Sequence, residues 1–312
     1  MRVHDGSIFI SPKPSSHRRV TTSTVVFTVT RCKSMPRAWA STARQPPPVE
    51  GEKPVTVLVT GFGPFLEKFP RNSSWEIAST LPALIPSSPT NPTPIHIHVH
   101  HKPIRVAYSN VVDLVPHLLP PGSRQHPAPD IILHIGLAAG RTFYTLEQGS
   151  HGRGYGKIPD VDGEKFADED AQARFPEEIF PPVLQTSFDT ADALTRWREL
   201  LGYEDAGLED GRGGAPDVRI SPDAGNFMCG FIYYNSLAQY YEKKEDERPV
   251  AFLHVPDLSH SEEKLATGRE VAVALIKALV ESRRQVGVVD GSARLAKKQQ
   301  GREVAGMDVN FI

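Results

Sequence analysis

Cysteine is nearly absent: Cys32 and Cys229 are the only two in 312 residues. Two thiols cannot make a disulfide framework. Their scarcity fits a reducing, cytoplasmic compartment and leaves Cys229 available for chemistry. Long apolar runs are also missing. None approaches the roughly 20 residues that a helix needs to cross a bilayer, so no membrane partner is expected. Net charge of either sign is small, at -2, and no basic block lies in the expected folded region, which argues against nucleic acid or another polyanion as partner. Nucleotide fingerprints are absent too. The Gly-containing loop Leu137, Ala138, Ala139, Gly140, Arg141 is followed by neither G-x-G-x-x-G nor G-K-[ST]. No cofactor is expected. What the chain does have is 39% hydrophobic content, enough at this length for a substantial core in one large domain or two small ones.

The composition changes along the chain. Residues 1–53 are rich in Lys, Arg, Ser and Thr, have Asp5 as the single acidic residue before Arg44, and end near Pro46, Pro47 and Pro48. They read as a disordered or targeting-like extension. The acid-poor character resembles a mitochondrial import segment, although residues 24–30 alternate like a strand, and Met35 offers another start. Residues 54–285 read as the folded domain and 286–312 as a flexible tail.

Within the domain, near-continuous apolar runs at 55–60, 130–136 and 250–256 have the pattern of strands buried on both faces. Helical spacing follows at 73–81, 106–119, 190–201, 229–244 and 262–284, with Asn72 or Ser73 as a cap for the first and Pro116 bending or ending the second. Strands alternating with helices predict a single three-layer α/β/α domain around a mostly parallel, twisted central sheet. Residues 95–101 form a further strand that puts His96, His98 and His100 on one face. No carboxylate or cysteine accompanies them at a recognisable spacing, so a solvated face is favoured over a metal site. Apart from the helix at 190–201, the stretch 164–215 reads as acidic and irregular, with a surface loop at 202–215.

The run DVRISPDAGNFMCGFIYY, from Asp217 to Tyr234, carries the chemistry. A short strand ends in the turn-formers Pro222 to Asn226, and a helix begins at Cys229. A cysteine at a helix start meets unpaired N–H groups and the positive end of the helix dipole, which favour a thiolate and could hold an oxyanion. A buried structural cysteine is the alternative. His254 closes the strand at 250–256. In a parallel sheet the loops at 61–65, 136–141, 222–229 and 254–257 gather at one edge, within reach of a Cys229–His254 pair for thiolate catalysis. Glu147 is the best-placed carboxylate to hold the imidazole. Phe62 and Phe65 either wall a pocket or plug the sheet end.

Five blocks resemble the pyroglutamyl-peptidase I (pyrrolidone-carboxylate peptidase) family of cysteine peptidases. They are VLVTGFGPF at 57–65, ILHIGLAAGR with TLEQ at 132–148, KIPDVDG at 157–163, DAGNFMCGFIYY at 223–234 and FLHVPDL at 252–258. The resemblance implies a Cys229, His254, Glu147 triad and an omega-peptidase that removes N-terminal pyroglutamate from peptides through a thioester. It further implies an apolar, ring-sized pocket made by Phe62, Phe65, Phe227 and Met228, with Lys157 and Ile158 beside it. A compact neutral lactam calls for apolar walls and a few backbone hydrogen bonds, not a charged anchor.

The chain departs from the family pattern and reads as a divergent, eukaryotic member. Lys157 replaces an Arg, Gly230 follows the cysteine where Asn is usual, Asp257 stands where an aromatic is usual, and the stretch from Asp160 to Cys229 is longer. Two other readings keep the same residues: a thiol amidase acting on another small amide or lactam, and a catalytically silent binding homologue. A homo-oligomer is left open.

Overall fold

The alternation of strand and helix patterns becomes an alternation of elements. They run β1 (Val55–Gly61), α1 (Ser73–Ala78), β2 (Leu84–Ile85), β3 (Ile95–Val99), α2 (Tyr108–Leu118), β4 (Ile131–Leu137), β5 (Tyr144–Glu147) and β6 (Gly149–His151). Then follow α3 (Asp168–Arg174), β7 (Val183–Gln185), α4 (Thr190–Leu200), β8 (Val218–Ser221), α5 (Met228–Lys243), β9 (Val250–Val255) and α6 (Glu262–Val286). This computed structural model describes residues 53–65, 70–89, 91–119, 127–203 and 214–289, which belong to one compact unit. The expectations for residues 1–52, for most of the loop at 202–215 and for 290–312 lie outside the described residues.

Seven strands form one sheet in the order β2-β3-β1-β4-β9-β5-β8. The pairs β3·β1, β1·β4 and β4·β9 are parallel, as is β5·β8. The pairs β2·β3 and β5·β9 are antiparallel. β4 and β9 are buried along their whole length, which is why they read as unbroken apolar runs. Helices cover both faces. On one, α1, α4 and α6 bury Ile77, Trp197, Val271 and Leu275 against the sheet. On the other, α2 and α5 bury Val111, Val115, Phe231 and Tyr233. The layered, mostly parallel α/β architecture expected from the sequence is the one observed. No helix among the described residues is long and apolar enough to cross a membrane.

Two local expectations need correction. The stretch 164–215 is more regular than its composition suggests. Asp168, Glu169 and Asp170 fill the first turn of α3, where negative charge suits the helix dipole, and β7 pairs antiparallel with β6. The histidines past Ile95 do not share one solvated face: His96 is exposed, but His100 is buried beyond the end of β3. The expectation for Pro116 holds: the proline lies inside α2, which ends close after it at Leu118. It falls in the last turn, where little of the helix remains to be disturbed. Among the described residues no group of three His, Cys, Asp or Glu side chains could hold a metal ion.

Candidate active site

β4 and β9 run side by side with Gly136 opposite His254, so the two residues share the sheet face covered by α5. Gly136 contributes no side chain there, and α5 fills the space. A Cβ built on Gly136 would stand 2.7 Å from Cys229 Sγ and 2.6 Å from Phe252 Cζ. The sulfur therefore occupies the position of a side chain next to His254. Neighbouring side chains on paired strands have Cβ atoms about 5 Å apart.

β5 reaches the same face from the other side of β9, placing Thr145 opposite His254 and Glu147 opposite Phe252. His254 Nδ1 lies 2.8 Å from Glu147 Oε1, and both side chains are buried. Burial alone would raise the Glu147 pKa. The hydrogen bond and charge of His254, with the charge of Arg141, outweigh it and hold the carboxyl below its usual range. An ionised Glu147 accepts hydrogen bonds, so Nδ1 is the donor in this contact and Nε2 is the ring nitrogen left over. That Nε2 is buried and has no hydrogen-bond partner.

Cys229 is the second residue of α5, whose N-cap Phe227 provides no side-chain cap. The helix-start position is as expected, but the ionisation is not. Burial pushes the Cys229 thiol up to about 12, the charge of Glu147 pushes the same way, and Arg141 opposes. Desolvation disfavours an anion more than the helix start favours it.

A cavity of about 260 Å³, counting its open mouth, adjoins the sulfur and is lined by Phe62, Phe65, Asn72, Val106, Leu137, Phe227, Met228 and Cys229. The aromatic walls brace each other: Phe65 and Phe227 have centroids 6.4 Å apart, and Tyr108 meets Phe227 edge-on at 6.2 Å. Asn72 is occupied, since its Nδ2 donates to Gly63 O and its Oδ1 caps α1 at Ser74 N. The structure thus brings Phe62, Phe65, Phe227 and Met228 together around Cys229. It does not bring Lys157 or Ile158 to that wall. Lys157 is exposed, and Ile158 is half-buried behind Tyr108, whose hydroxyl donates to Ile158 O at 3.0 Å.

Comparison with known proteins supplies the context. A family model described as pyroglutamyl peptidase matches residues 55–183. Human pyroglutamyl-peptidase 1 is 30% identical over 205 residues, covering 65% of this chain and 79% of that protein. The pyrrolidone-carboxylate peptidase of Deinococcus radiodurans is 30% identical over 201 residues, covering 64% and 78%. Among solved structures, a mutant pyrrolidone carboxyl peptidase from Pyrococcus furiosus superposes with TM-score 0.54 at 22% identity, covering 73% of this chain and 99% of that one. The chain belongs to the pyroglutamyl-peptidase family.

Two departures from the pyroglutamyl-peptidase pattern have local causes. A Cβ on Gly230 would fall 1.8 Å from Gly225 O and 3.0 Å from Ser150 Oγ. The loop before Cys229 packs directly onto the helix, and any side chain after Cys229 would expel it. Asp257 ties the loop after β9 to α1. Its Oδ1 accepts from Ser259 N at 3.0 Å and Ser259 Oγ at 2.7 Å, while Ser73 Oγ lies 3.5 Å away and also accepts from Leu258 N at 2.8 Å. Burial would raise the Asp257 pKa, but the Ser259 hydroxyl and amide hold it below the usual range.

Asn72, Val106 and Thr145 are not among the residues the sequence marks for this site, and Leu137 and Arg141 are marked only through the loop at 136–141. Thr145 could have been read, because it lies two residues before Glu147 on a strand and so shares its face. Asn72 was legible only as a helix cap. Nothing local marks Arg141, a charged residue in a turn, as a neighbour of the carboxylate.

Proposed function

We propose that the protein is a cysteine exopeptidase, an omega-peptidase, that hydrolyses the amide bond after an N-terminal pyroglutamyl residue of a peptide. The observation that carries this reading is the 2.8 Å contact from His254 Nδ1 to Glu147 Oε1, which leaves a buried, unpartnered Nε2 on the sheet face where the Cys229 sulfur lies against Gly136. The activity named for the relatives and the uncharged cavity beside the sulfur support the same reading.

In this mechanism His254 Nε2 takes the Cys229 proton as Sγ attacks the pyroglutamyl carbonyl. The thiolate exists chiefly during attack, as expected where burial favours the thiol. The amides of the first turn of α5 would meet the developing oxyanion. The imidazolium, stabilised by Glu147, then protonates the leaving amine and a thioester remains. His254 next takes a proton from water, which attacks the thioester and releases pyroglutamate and the free thiol. The apolar walls suit a neutral lactam, and they disfavour a free, charged N-terminal amine, which would be buried without a counter-charge.

The reading includes residues 54–285 as the catalytic domain and a cytoplasmic setting, with no cofactor and no nucleic acid or membrane partner. It leaves a homo-oligomer open. The test is hydrolysis of a fluorogenic pyroglutamyl amide by the full chain, with the matching prolyl amide, which lacks the lactam carbonyl, as comparison. Cleavage of the first and not the second is expected. No cleavage by protein whose Cys229 still reacts with a small alkylating agent would overturn the substrate assignment in favour of another small amide or lactam. No thiol-dependent turnover of any amide would favour a binding homologue.

A further inference from the structure

Arg141 stands in the turn that carries the chain from β4 to β5 across the end of β9. Its backbone N–H donates to Ala138 O at 2.9 Å, which closes the turn, and its side chain is only 11% exposed. From there Nη1 donates to Glu147 Oε1 at 2.8 Å and to Thr145 Oγ1 at 2.6 Å, and the Thr145 hydroxyl in turn donates to the same Oε1 at 2.8 Å. A single carboxylate oxygen thus receives three donors: His254 Nδ1, Arg141 and Thr145. Both flanking donors come from the β4–β5 segment that also carries Glu147. A buried carboxylate held by three short, partly charge-assisted bonds has little rotational freedom.

We propose that Arg141, acting with Thr145, is a positioning residue of the triad that fixes the Glu147 carboxylate in the orientation that makes His254 present Nε2 to Cys229. This rests on the triad reading above. The guanidinium also adds a positive charge beside the site, which favours loss of the thiol proton. The other ionisable groups near the face are Glu147, His254 and Cys229 themselves, buried His134 on β4 and Tyr233 on α5, whose hydroxyl donates to Glu147 O at 3.1 Å. Among the described residues Arg141 is the one Lys or Arg with a hydrogen bond to the carboxylate. It does not line the cavity, so its effect should fall on kcat and not on KM.

The experiment uses the full chain as wild type, Arg141→Met and Arg141→Lys. Each is examined by the rate of Cys229 alkylation with iodoacetamide at pH 8 and by the pH profile of kcat/KM on a pyroglutamyl amide. Removing a cation raises the proton affinity of every neighbour. Arg141→Met should therefore slow alkylation about tenfold, for about one unit of thiol proton affinity, and should move both limbs of the profile to higher pH, with kcat reduced and KM unchanged. Arg141→Lys should restore the alkylation rate. A merely structural role would loosen the site and speed alkylation. Faster or unchanged alkylation in Arg141→Met, or a lysine variant as impaired as the methionine one, would overturn the proposal. If Arg141→Met does not fold, Thr145→Val carries the test: it keeps the charge, removes one donor to Oε1, and should lower kcat about tenfold at unchanged KM, whereas an unchanged kcat would overturn it. Alkylation needs no substrate, so this result stands apart from whether pyroglutamyl amides are cleaved.

Discussion

The sulfur of Cys229 fills the place of the side chain that Gly136 lacks, 2.7 Å from where its Cβ would be. Gly136 is paired with His254, so the smallest residue of β4 decides how close the sulfur comes to the imidazole. Gly136→Ala should push Sγ and Phe252 away while leaving the strand intact. A drop in kcat of about 100-fold is expected, with circular dichroism unchanged. Full activity in this variant would show that the sulfur does not work from this position.

Cys229→Ala and His254→Ala should each abolish nearly all hydrolysis of a pyroglutamyl amide. The double variant should be little worse than either one, because the two act as a unit. Glu147→Gln should lose less, since an amide can still hold the ring but cannot stabilise the imidazolium. Appreciable turnover by Cys229→Ala, free of contaminating peptidase, would falsify the thiol mechanism.

The aromatic wall predicts an effect on binding. Phe227→Ala removes a ring that touches Phe65 and Tyr108, and KM should rise about tenfold for a loss of roughly 1.5 kcal/mol of apolar contact. Steady-state kinetics would show it. An unchanged KM would mean that the lactam does not sit against this wall.

Restoring the family's usual residue after the nucleophile should harm this chain. Gly230→Asn would place a side chain into Gly225 O, and a loss of more than about 2 kcal/mol is expected. Chemical denaturation would measure it, and an undiminished midpoint would refute the tight packing of the loop on α5.

Acid sensitivity should trace partly to His134. Its ring bridges Thr60 Oγ1 at 2.7 Å and Ser236 Oγ at 2.9 Å, and burial lowers its pKa to about 3. The unfolded chain takes up this proton near pH 6.5, and the folded chain only near 3. Stability contributed by neutral His134 is therefore complete above about pH 6.5 and is lost as pH falls toward 3, on the order of a few kcal/mol in all. Glu147, held below its usual range, keeps its contribution until lower pH. Urea unfolding between pH 7 and 5 should show the slope, and His134→Gln should flatten it. An equal slope in both proteins would place the acid sensitivity elsewhere.

Much of this protein is legible in local pattern. Unbroken apolar runs mark β1, β4 and β9 because both of their faces are covered, and the turn-rich run before Cys229 marks a strand ending where a helix begins. The residue types of the triad and the aromatics of VLVTGFGPF follow from motif and resemblance. The sheet order decided the rest. β5 lies antiparallel beside β9, and only that placement brings Thr145, Glu147 and, through its turn, Arg141 to His254. Periodicity along one strand carries no information about which strand lies next to it. The state of Cys229 was also beyond local reading: its position at a helix start is a property of sequence, but whether it rests as thiol or thiolate depends on how much protein surrounds it. Here Gly136 and α5 bury the sulfur, and desolvation pushes the thiol pKa up.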